Sequence, residues 1–211
     1  MGRSTVCISW TLGAGGEEIG RLVADRLGLL YVDEEVIARA AAKAGVDVER
    51  IADEEKRKPL LSGLLDHLYD TSNVGFAPAP VWVDNLSAEE VRGFIQEAIH
   101  EIAERGGAVI VAHAASFALG SDKRTLRLLV TAPAETRAQR LSAAGGVTAN
   151  EAAKEIRRSD GNRRDYLKRF YGVTEELPIH YDLVINTDTV SYERAVELVL
   201  QAVADEPVHQ R

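Results

Sequence analysis

Three glycines near the beginning of the sequence follow a short β-prone run, which covers residues 5–9. They are Gly13, Gly15 and Gly16, with Ala14 between the first two. Beyond them, apolar residues recur at 19, 22, 23 and 27, the spacing of one buried helical face. Glycine turns readily with positive φ, which lets several backbone N–H groups point towards one position. Because this position would lie at the positive end of a helix, the pattern predicts a binding site for an anion of the phosphate type.

Two carboxylates follow the glycines, where a Walker-type loop has a lysine and then a serine or threonine. They are Glu17 and Glu18. Two charges ~4 Å apart interact by about 4 kcal/mol at an effective dielectric near 20, so Glu17 would repel a phosphate unless its side chain points away. Both carboxylates could instead only complement the helix dipole, which is worth roughly 0.3–1 kcal/mol each. Glu18 has a more specific alternative role, in which a carboxylate oxygen binds Mg²⁺ in place of the usual hydroxyl.

The elements that must position this turn alternate between short apolar strands and amphipathic helices. Strands are predicted at residues 5–9, 29–32, 108–112, 126–131 and 182–186. Helices are predicted after the glycines, at 34–44, from a capping box at 87 to the glycines at 106 and 107, at 134–143, from a second capping box at 148, and at 192–204. Because the strands lack polar alternation, we expect a parallel sheet with helices on both faces, in one α/β domain.

Ligands of such sheets bind beyond the carboxyl ends of the strands. Asp33 and His113 follow the second and third predicted strands, Arg39 lies in the helix after Asp33, and Arg137 and Arg140 follow the fourth strand. Arginines that face an anion-binding turn suit a phosphoryl group in transfer, whose charge must be gathered and shielded from water. Simpler interpretations remain open: Asp33 could be a helix N-cap, His113 a packed side chain, and the arginines solvated.

The charge of the chain is uneven. Its net charge is −8, which argues against broad binding to nucleic acid or to an anionic membrane. Residues 154–169 nevertheless carry seven cations and three acids, a local charge of +4. Asp160 and Arg164 could form an ordinary i,i+4 helix pair, but the surplus of cations favours a segment that closes over an anionic ligand. No membrane span or signal peptide is predicted, so we expect a cytoplasmic protein in which the single cysteine, Cys7, is buried and inert.

Together these pieces resemble the cytidylate kinase-like family in order and spacing. The matching pieces are residues 8–9, 13–20, 27–33 and 109–111, Ala132-Pro133 with Arg137 and Arg140, the set Ile156, Asp160, Arg163 and Tyr166 with residues 170–172, and residues 181–187. The resemblance covers nearly the whole chain except about 47–86. It implies a P-loop nucleoside monophosphate kinase fold with a five-stranded parallel sheet, a monophosphate-binding flap at about 45–90 and a helical lid at about 148–172.

The resemblance also implies a reaction, in which ATP and CMP give ADP and CDP with Mg²⁺. The turn from Gly13 to Glu18 and Arg137 would bind the donor nucleotide. Asp33, Arg39 and His113 match acceptor-binding positions, and the lid residues that match are Arg158, Asp160, Arg163 and Arg164. The chain departs from the family at Glu17, where relatives often carry an arginine, and at His113, which replaces an arginine and is mostly neutral at pH 7.

Three functions are compatible with these patterns. The first is a kinase-like enzyme that acts on CMP, dCMP or a related acceptor. The second is a nucleotide-binding regulatory or assembly protein that has lost turnover, which the residues at 17 and 113 favour. The third is a dinucleotide-dependent oxidoreductase, but its Gly-x-Gly-x-x-Gly pattern, counted from Gly13, would need a glycine where Glu18 stands. Nothing in the sequence predicts an oligomeric state.

Overall fold

The fold is built on a parallel sheet. The structure, a computed structural model, describes residues 4–33, 88–112, 114–120 and 122–204. Within them the strands are β1 Thr5–Trp10, β2 Leu30–Asp33, β3 Ala108–Val111, β4 Thr125–Thr131 and β5 Leu183–Asn186. They form one five-stranded sheet in the order β2-β3-β1-β4-β5, and every pairing is parallel. The predicted five-stranded parallel sheet is confirmed, and β1 lies at its centre.

Helices connect the strands. The described ones are α1 Gly16–Leu27, α2 Ala88–Arg105, α3 Ala115–Ala118, α4 Ala134–Ala143, α5 Ala149–Tyr171 and α6 Tyr192–Ala204, with a 3₁₀ turn at Pro178–His180. The short α3 was not predicted from the sequence, because a single helical turn carries no periodic signal. The predicted helix at 34–44 and most of the flap predicted at about 45–90 lie outside the described residues, while residues 88–90 begin α2.

Side chains of β1 alternate between two covered faces of the sheet. On one face, Val6 and Ile8 pack with α1 and α6 in a continuous buried cluster. On the other face, Thr5 Oγ1 donates to Ala103 O of α2 at 3.5 Å, and the hydroxyls of Ser9 and Ser116 are 3.0 Å apart, which joins β1 to α3. The sheet is therefore the middle of three layers, as predicted, and burial of each large apolar side chain contributes about 1.5–3 kcal/mol.

The predicted capping box at the start of α5 is present. Thr148 Oγ1 accepts a hydrogen bond from Glu151 N at 3.3 Å, and the Glu151 carboxylate accepts one from Thr148 N at 2.8 Å. From there α5 is one continuous helix that ends at Gly172, whose φ of +66° closes it. Its inner face is buried through Ala152, Ile156, Arg163 and Leu167. The predicted lid segment is thus a single helix with one face packed against the rest of the chain.

Cys7 is fully buried in the centre of β1. Burial raises the pKa of its thiol to about 12, so the thiol stays protonated and inert at neutral pH. In the part of the chain that the structure describes, no helix has both the length and the apolar character needed to cross a membrane.

Candidate functional site

The glycine turn connects β1 to α1 at the carboxyl edge of the sheet. Gly13 and Gly15 have φ values of +81° and +84°, in the left-handed region. The first N–H to bond back along α1 is that of Ile19, which donates to Gly15 O at 3.0 Å. The preceding N–H groups of Gly16, Glu17 and Glu18 have no partner within the helix, as the start of any helix requires. They lie at the positive end of α1, the geometry from which we predict anion binding.

Each of the three glycines lies against a neighbouring element that leaves no room for a side chain. A Cβ atom on Gly13 would come within 2.8 Å of Arg137 O. A Cβ atom on Gly15 would overlap the Tyr192 ring, and one on Gly16 would overlap the Trp10 side chain. The turn is therefore packed closely between β1, α4 and α6, and its conformation is fixed by these contacts.

Arg137 joins this turn to α4 and α5. Its Nε donates to Ala132 O at 2.8 Å, and its Nη1 donates to Leu12 O at 3.2 Å. The same guanidinium forms two hydrogen bonds with the Asp160 carboxylate, at 2.9 and 2.8 Å. The Arg137 side chain is only 6% exposed, so Asp160 supplies the counter-charge that a buried guanidinium requires. Two residues that the sequence placed in separate donor and lid roles are in direct contact.

Arg163 makes a second buried link from α5 to the end of β1. It donates to the Glu176 carboxylate through Nε at 2.8 Å and also through Nη2, and its Nη1 lies 3.5 Å from Trp10 O. Tyr181 donates its hydroxyl to the same carboxylate. Burial alone would raise the pKa of Glu176, but hydrogen bonds and charge from Arg163 outweigh it and hold the pKa below its ordinary value. Burial and the Glu176 charge raise the pKa of Tyr181, which stays protonated.

The four predicted lid residues of α5 differ in whether they are paired or exposed. Asp160 and Arg163 are held in the ion pairs described above. Arg158 is exposed and pairs with Glu155 at 2.8 Å, one turn away. Arg164 is also exposed and makes no ion pair with any residue that the structure describes. The ion pairs of Asp160 and Arg163 therefore hold α5 in place, whereas Arg158 and Arg164 are both accessible from solvent.

Arg140 binds the glycine turn on its carbonyl side, directly and through Thr187. Its Nη1 lies 3.4 Å from Gly13 O and donates to Thr187 Oγ1 at 2.9 Å, while its Nη2 donates to Thr187 O at 2.6 Å. Thr187 Oγ1 in turn donates to Ala14 O at 2.9 Å. The carbonyls of Gly13 and Ala14 are thus bound by side chains from the body of the protein.

The predicted acceptor side is described only in part. Asp33 closes β2, and its Oδ2 lies 3.7 Å from Nη2 of Arg21, a residue that the sequence did not single out. The Arg21 guanidinium also lies over the Tyr31 ring, 5.0 Å from its centroid. Arg39 and His113 lie outside the described residues, so their roles stay predictions.

Glu17 and Glu18 are both exposed on the first turn of α1. Neither forms an ion pair with a residue in the described ranges. Those ranges also contain no group of three or more His, Cys, Asp or Glu side chains that could hold a metal.

Some residues that build the site carried little signal in the sequence. The sequence shows Arg140 as an arginine after the fourth strand, whereas its partner Thr187 stands out only as part of a segment that matches the family. Glu176 and Tyr192 had no signal at all, because their importance depends on contacts with residues far away in the chain.

The sheet order and the glycine turn from β1 into α1 define an α/β protein of the P-loop kinase type. A solved shikimate kinase from Bacteroides thetaiotaomicron has this fold: it superposes with a TM-score of 0.54 at 13% identity, covering 95% of this chain and 98% of its own. The chain matches the model of the cytidylate kinase-like family over residues 5–189, and it belongs to that family.

Two relatives named cytidylate kinase match almost end to end. One, from Archaeoglobus fulgidus, is 26% identical over 202 residues, which cover 94% of this chain and 93% of the relative. The other, from Ignicoccus hospitalis, is 24% identical over 197 residues, which cover 93% of this chain and 96% of the relative. The resemblance inferred from the sequence is confirmed. The oxidoreductase alternative has no support from the family.

Proposed function

We propose that the protein is a phosphotransferase of the nucleoside monophosphate kinase type, which moves the γ-phosphoryl group of ATP to CMP, dCMP or a related acceptor. The observation that carries the proposal is the turn between β1 and α1. Its N–H groups at Gly16, Glu17 and Glu18 have no intrahelical partner, while the carbonyls of Gly13 and Ala14 are bound on the opposite side. The two relatives named cytidylate kinase support the same class.

In the proposed reaction, an oxygen of the acceptor phosphate forms a bond to the γ-phosphorus of ATP. The bond from that phosphorus to the bridging oxygen breaks, and its electron pair stays on ADP. The N–H groups of the turn would stabilise negative charge on the donor phosphates. Because side chains already fix the turn, this stabilisation needs little reorganisation during the reaction.

Magnesium would neutralise charge on the donor phosphates when bound with ATP. Glu18 is the residue that we propose as its protein ligand, since its exposed carboxylate lies on the turn of α1 that carries the available N–H groups. A single carboxylate is sufficient for Mg²⁺ when phosphate oxygens and waters complete the octahedron.

We propose different roles for the two pairs of residues on α5. Arg158 and Arg164 are exposed, and they would contact the phosphates of the bound nucleotides. Asp160 and Arg163 are held in ion pairs, and they would act by fixing α5 against the ends of the central strands. On the acceptor side, we propose that Asp33, Arg39 and His113 bind the monophosphate nucleotide.

A coupled assay for ADP release tests the proposal, with ATP, Mg²⁺ and a panel of monophosphates headed by CMP and dCMP. We expect ADP release that depends on one of these acceptors and exceeds the rate without acceptor. Absence of acceptor-dependent release across the whole panel would overturn the kinase proposal.

The second candidate is a nucleotide-binding regulatory or assembly protein without turnover. Glu17 favours it, because a carboxylate replaces the cation of an ordinary phosphate loop. Calorimetry with ATP and Mg²⁺ separates the two candidates: binding without ADP release would support the second.

A further inference from the structure

Three arginines contact carbonyls of the segment from Trp10 to Gly13, but they differ in how their charge is balanced. Arg137 is paired with Asp160, and Arg163 is paired with Glu176. Among the described residues, Arg140 donates to the Gly13 carbonyl and to the two oxygens of Thr187. Arg140 has no carboxylate at ion-pair distance among the described residues, so none of them neutralises its positive charge.

We infer that Arg140 and Thr187 are positioning residues of the anion-binding turn, and that the charge of Arg140 supplies part of the attraction that a Walker lysine would provide. This inference rests on the proposed function for the nature of the ligand, a polyphosphate. It concerns residues that the family resemblance left without such a role.

The geometric part of the inference follows from peptide planarity. In a trans peptide, the C=O of one residue and the N–H of the next point in opposite directions. Thr187 Oγ1 binds Ala14 O at 2.9 Å, which directs the N–H of Gly15 away from the body of the protein. Arg140 orients that hydroxyl, because it donates to Thr187 Oγ1 and leaves the single hydroxyl proton for a carbonyl, of which Ala14 O at 2.9 Å is closer than Thr131 O at 3.3 Å. The N–H of Gly15 thereby joins those of Gly16 and Glu17 on the side where an anion would bind.

Tyr192 completes this support. The Arg140 guanidinium lies over its ring, with 5.5 Å between the guanidinium carbon and the ring centroid, and Gly15 packs against the same ring. The guanidinium is thus held between the end of β5 and the start of α6. A cation fixed against the carbonyl side of the turn would attract an anion on the N–H side through space, without contact between the two.

The test uses inorganic tripolyphosphate as the probe, with binding measured by calorimetry at two salt concentrations. We expect Arg140→Gln to weaken binding about tenfold and to reduce its salt dependence, and Arg140→Lys to keep most of the salt dependence. Arg194→Gln is the matched control, because Arg194 is an exposed arginine of α6 that pairs with Glu197. Equal effects of Arg140→Gln and Arg194→Gln would overturn the electrostatic part.

A second pair of variants tests positioning. Thr187→Val removes the hydroxyl and keeps the shape, and we expect it to weaken tripolyphosphate binding and to speed hydrogen exchange of the amides at residues 15–18. Thr187→Ser keeps the hydroxyl and should restore both. Thermal denaturation identifies any variant that is merely unfolded. Similar binding and exchange for the Val and Ser variants would overturn the positioning role.

Failure of this inference is distinct from failure of the proposed function. A wild-type protein that binds tripolyphosphate with the expected dependence on Arg140, yet releases no ADP with any acceptor, supports the inference and overturns the kinase proposal. A wild-type protein that turns over nucleotides but binds equally well after Arg140→Gln overturns the inference alone. A wild-type protein that binds no tripolyphosphate also overturns the inference.

Discussion

Arg137 and Asp160 are 23 residues apart in the sequence, and they join α4 to α5 through two hydrogen bonds of 2.9 and 2.8 Å. The same arginine donates to Leu12 O at 3.2 Å. The Arg137–Asp160 ion pair therefore connects α5, which carries the predicted lid residues, to the segment that leads into the glycine turn. A change at either residue should affect both stability and the turn.

Asp160→Asn should destabilise the protein by about 3 kcal/mol, because it leaves a buried guanidinium without its counter-charge. The value is at the low end of the usual range since the Asp160 side chain is 34% exposed. Urea denaturation measures the change. Glu155→Gln is the control: it breaks the exposed pair with Arg158 and should cost less than about 1 kcal/mol. Equal losses of unfolding free energy in the two variants would contradict a larger stabilising effect of the buried Arg137–Asp160 pair.

Gly15→Ala should abolish binding of ATP and tripolyphosphate. Alanine at a φ of +84° costs about 1–2 kcal/mol, and its Cβ would overlap the Tyr192 ring, so the turn must shift. Gly28→Ala isolates the backbone cost, because Gly28 has a φ of +63° and open space around a Cβ. Calorimetry measures ligand binding and thermal denaturation measures the stability of both variants. Retained binding in Gly15→Ala would show that the turn does not hold the anion.

Glu17→Lys should strengthen tripolyphosphate binding about tenfold, equivalent to about 1.4 kcal/mol. The change replaces a repelling charge at the start of α1 with an attracting one. Glu193→Lys is a matched control, since Glu193 is an exposed acid in the first turn of α6. If both variants gain equally, net charge alone explains the effect and Glu17 has no special position.

Protonation of Glu176 should account for part of the stability that the protein loses in acid. Because Arg163 holds the pKa of this carboxyl below its ordinary value of 4.5, the ionised form stabilises the fold above that pH. This contribution disappears as the pH falls through the lower folded-state pKa. Glu176→Gln should therefore be less stable than wild type at pH 7, and the difference should shrink steadily below pH 4.5. Unfolding curves at several pH values measure it, and a constant difference would contradict the assignment.

Much of the fold could be predicted from the sequence because its signals are local. Strands without polar alternation indicated a sheet covered on both faces, and the Thr148 capping box marked the start of α5. The predicted bounds of α4 and α6 agree with the structure, since the apolar period of each helix extends over its whole length. Local hydrogen bonds and periodic apolar residues determine these elements, and both are visible in a short window of sequence.

The site could be predicted only as a set of residue types at one edge of the sheet. Thr187 and Ala14 are 173 residues apart, and no local pattern relates a threonine after β5 to a carbonyl of the glycine turn. Which charged residues of α5 are paired and which are exposed was equally hidden, because Glu176 and Arg137 reach the helix from other elements.

The sequence by itself determined the strand–turn–helix unit, the parallel sheet and the concentration of cations in one helix. These depend on φ preferences, apolar period and charge, which are properties of neighbouring residues. Only the tertiary structure decided which arginines are neutralised and which carbonyls of the turn are bound. Those outcomes depend on distances between residues far apart in the chain, and burial makes each unpaired charge or carbonyl costly enough to select one arrangement.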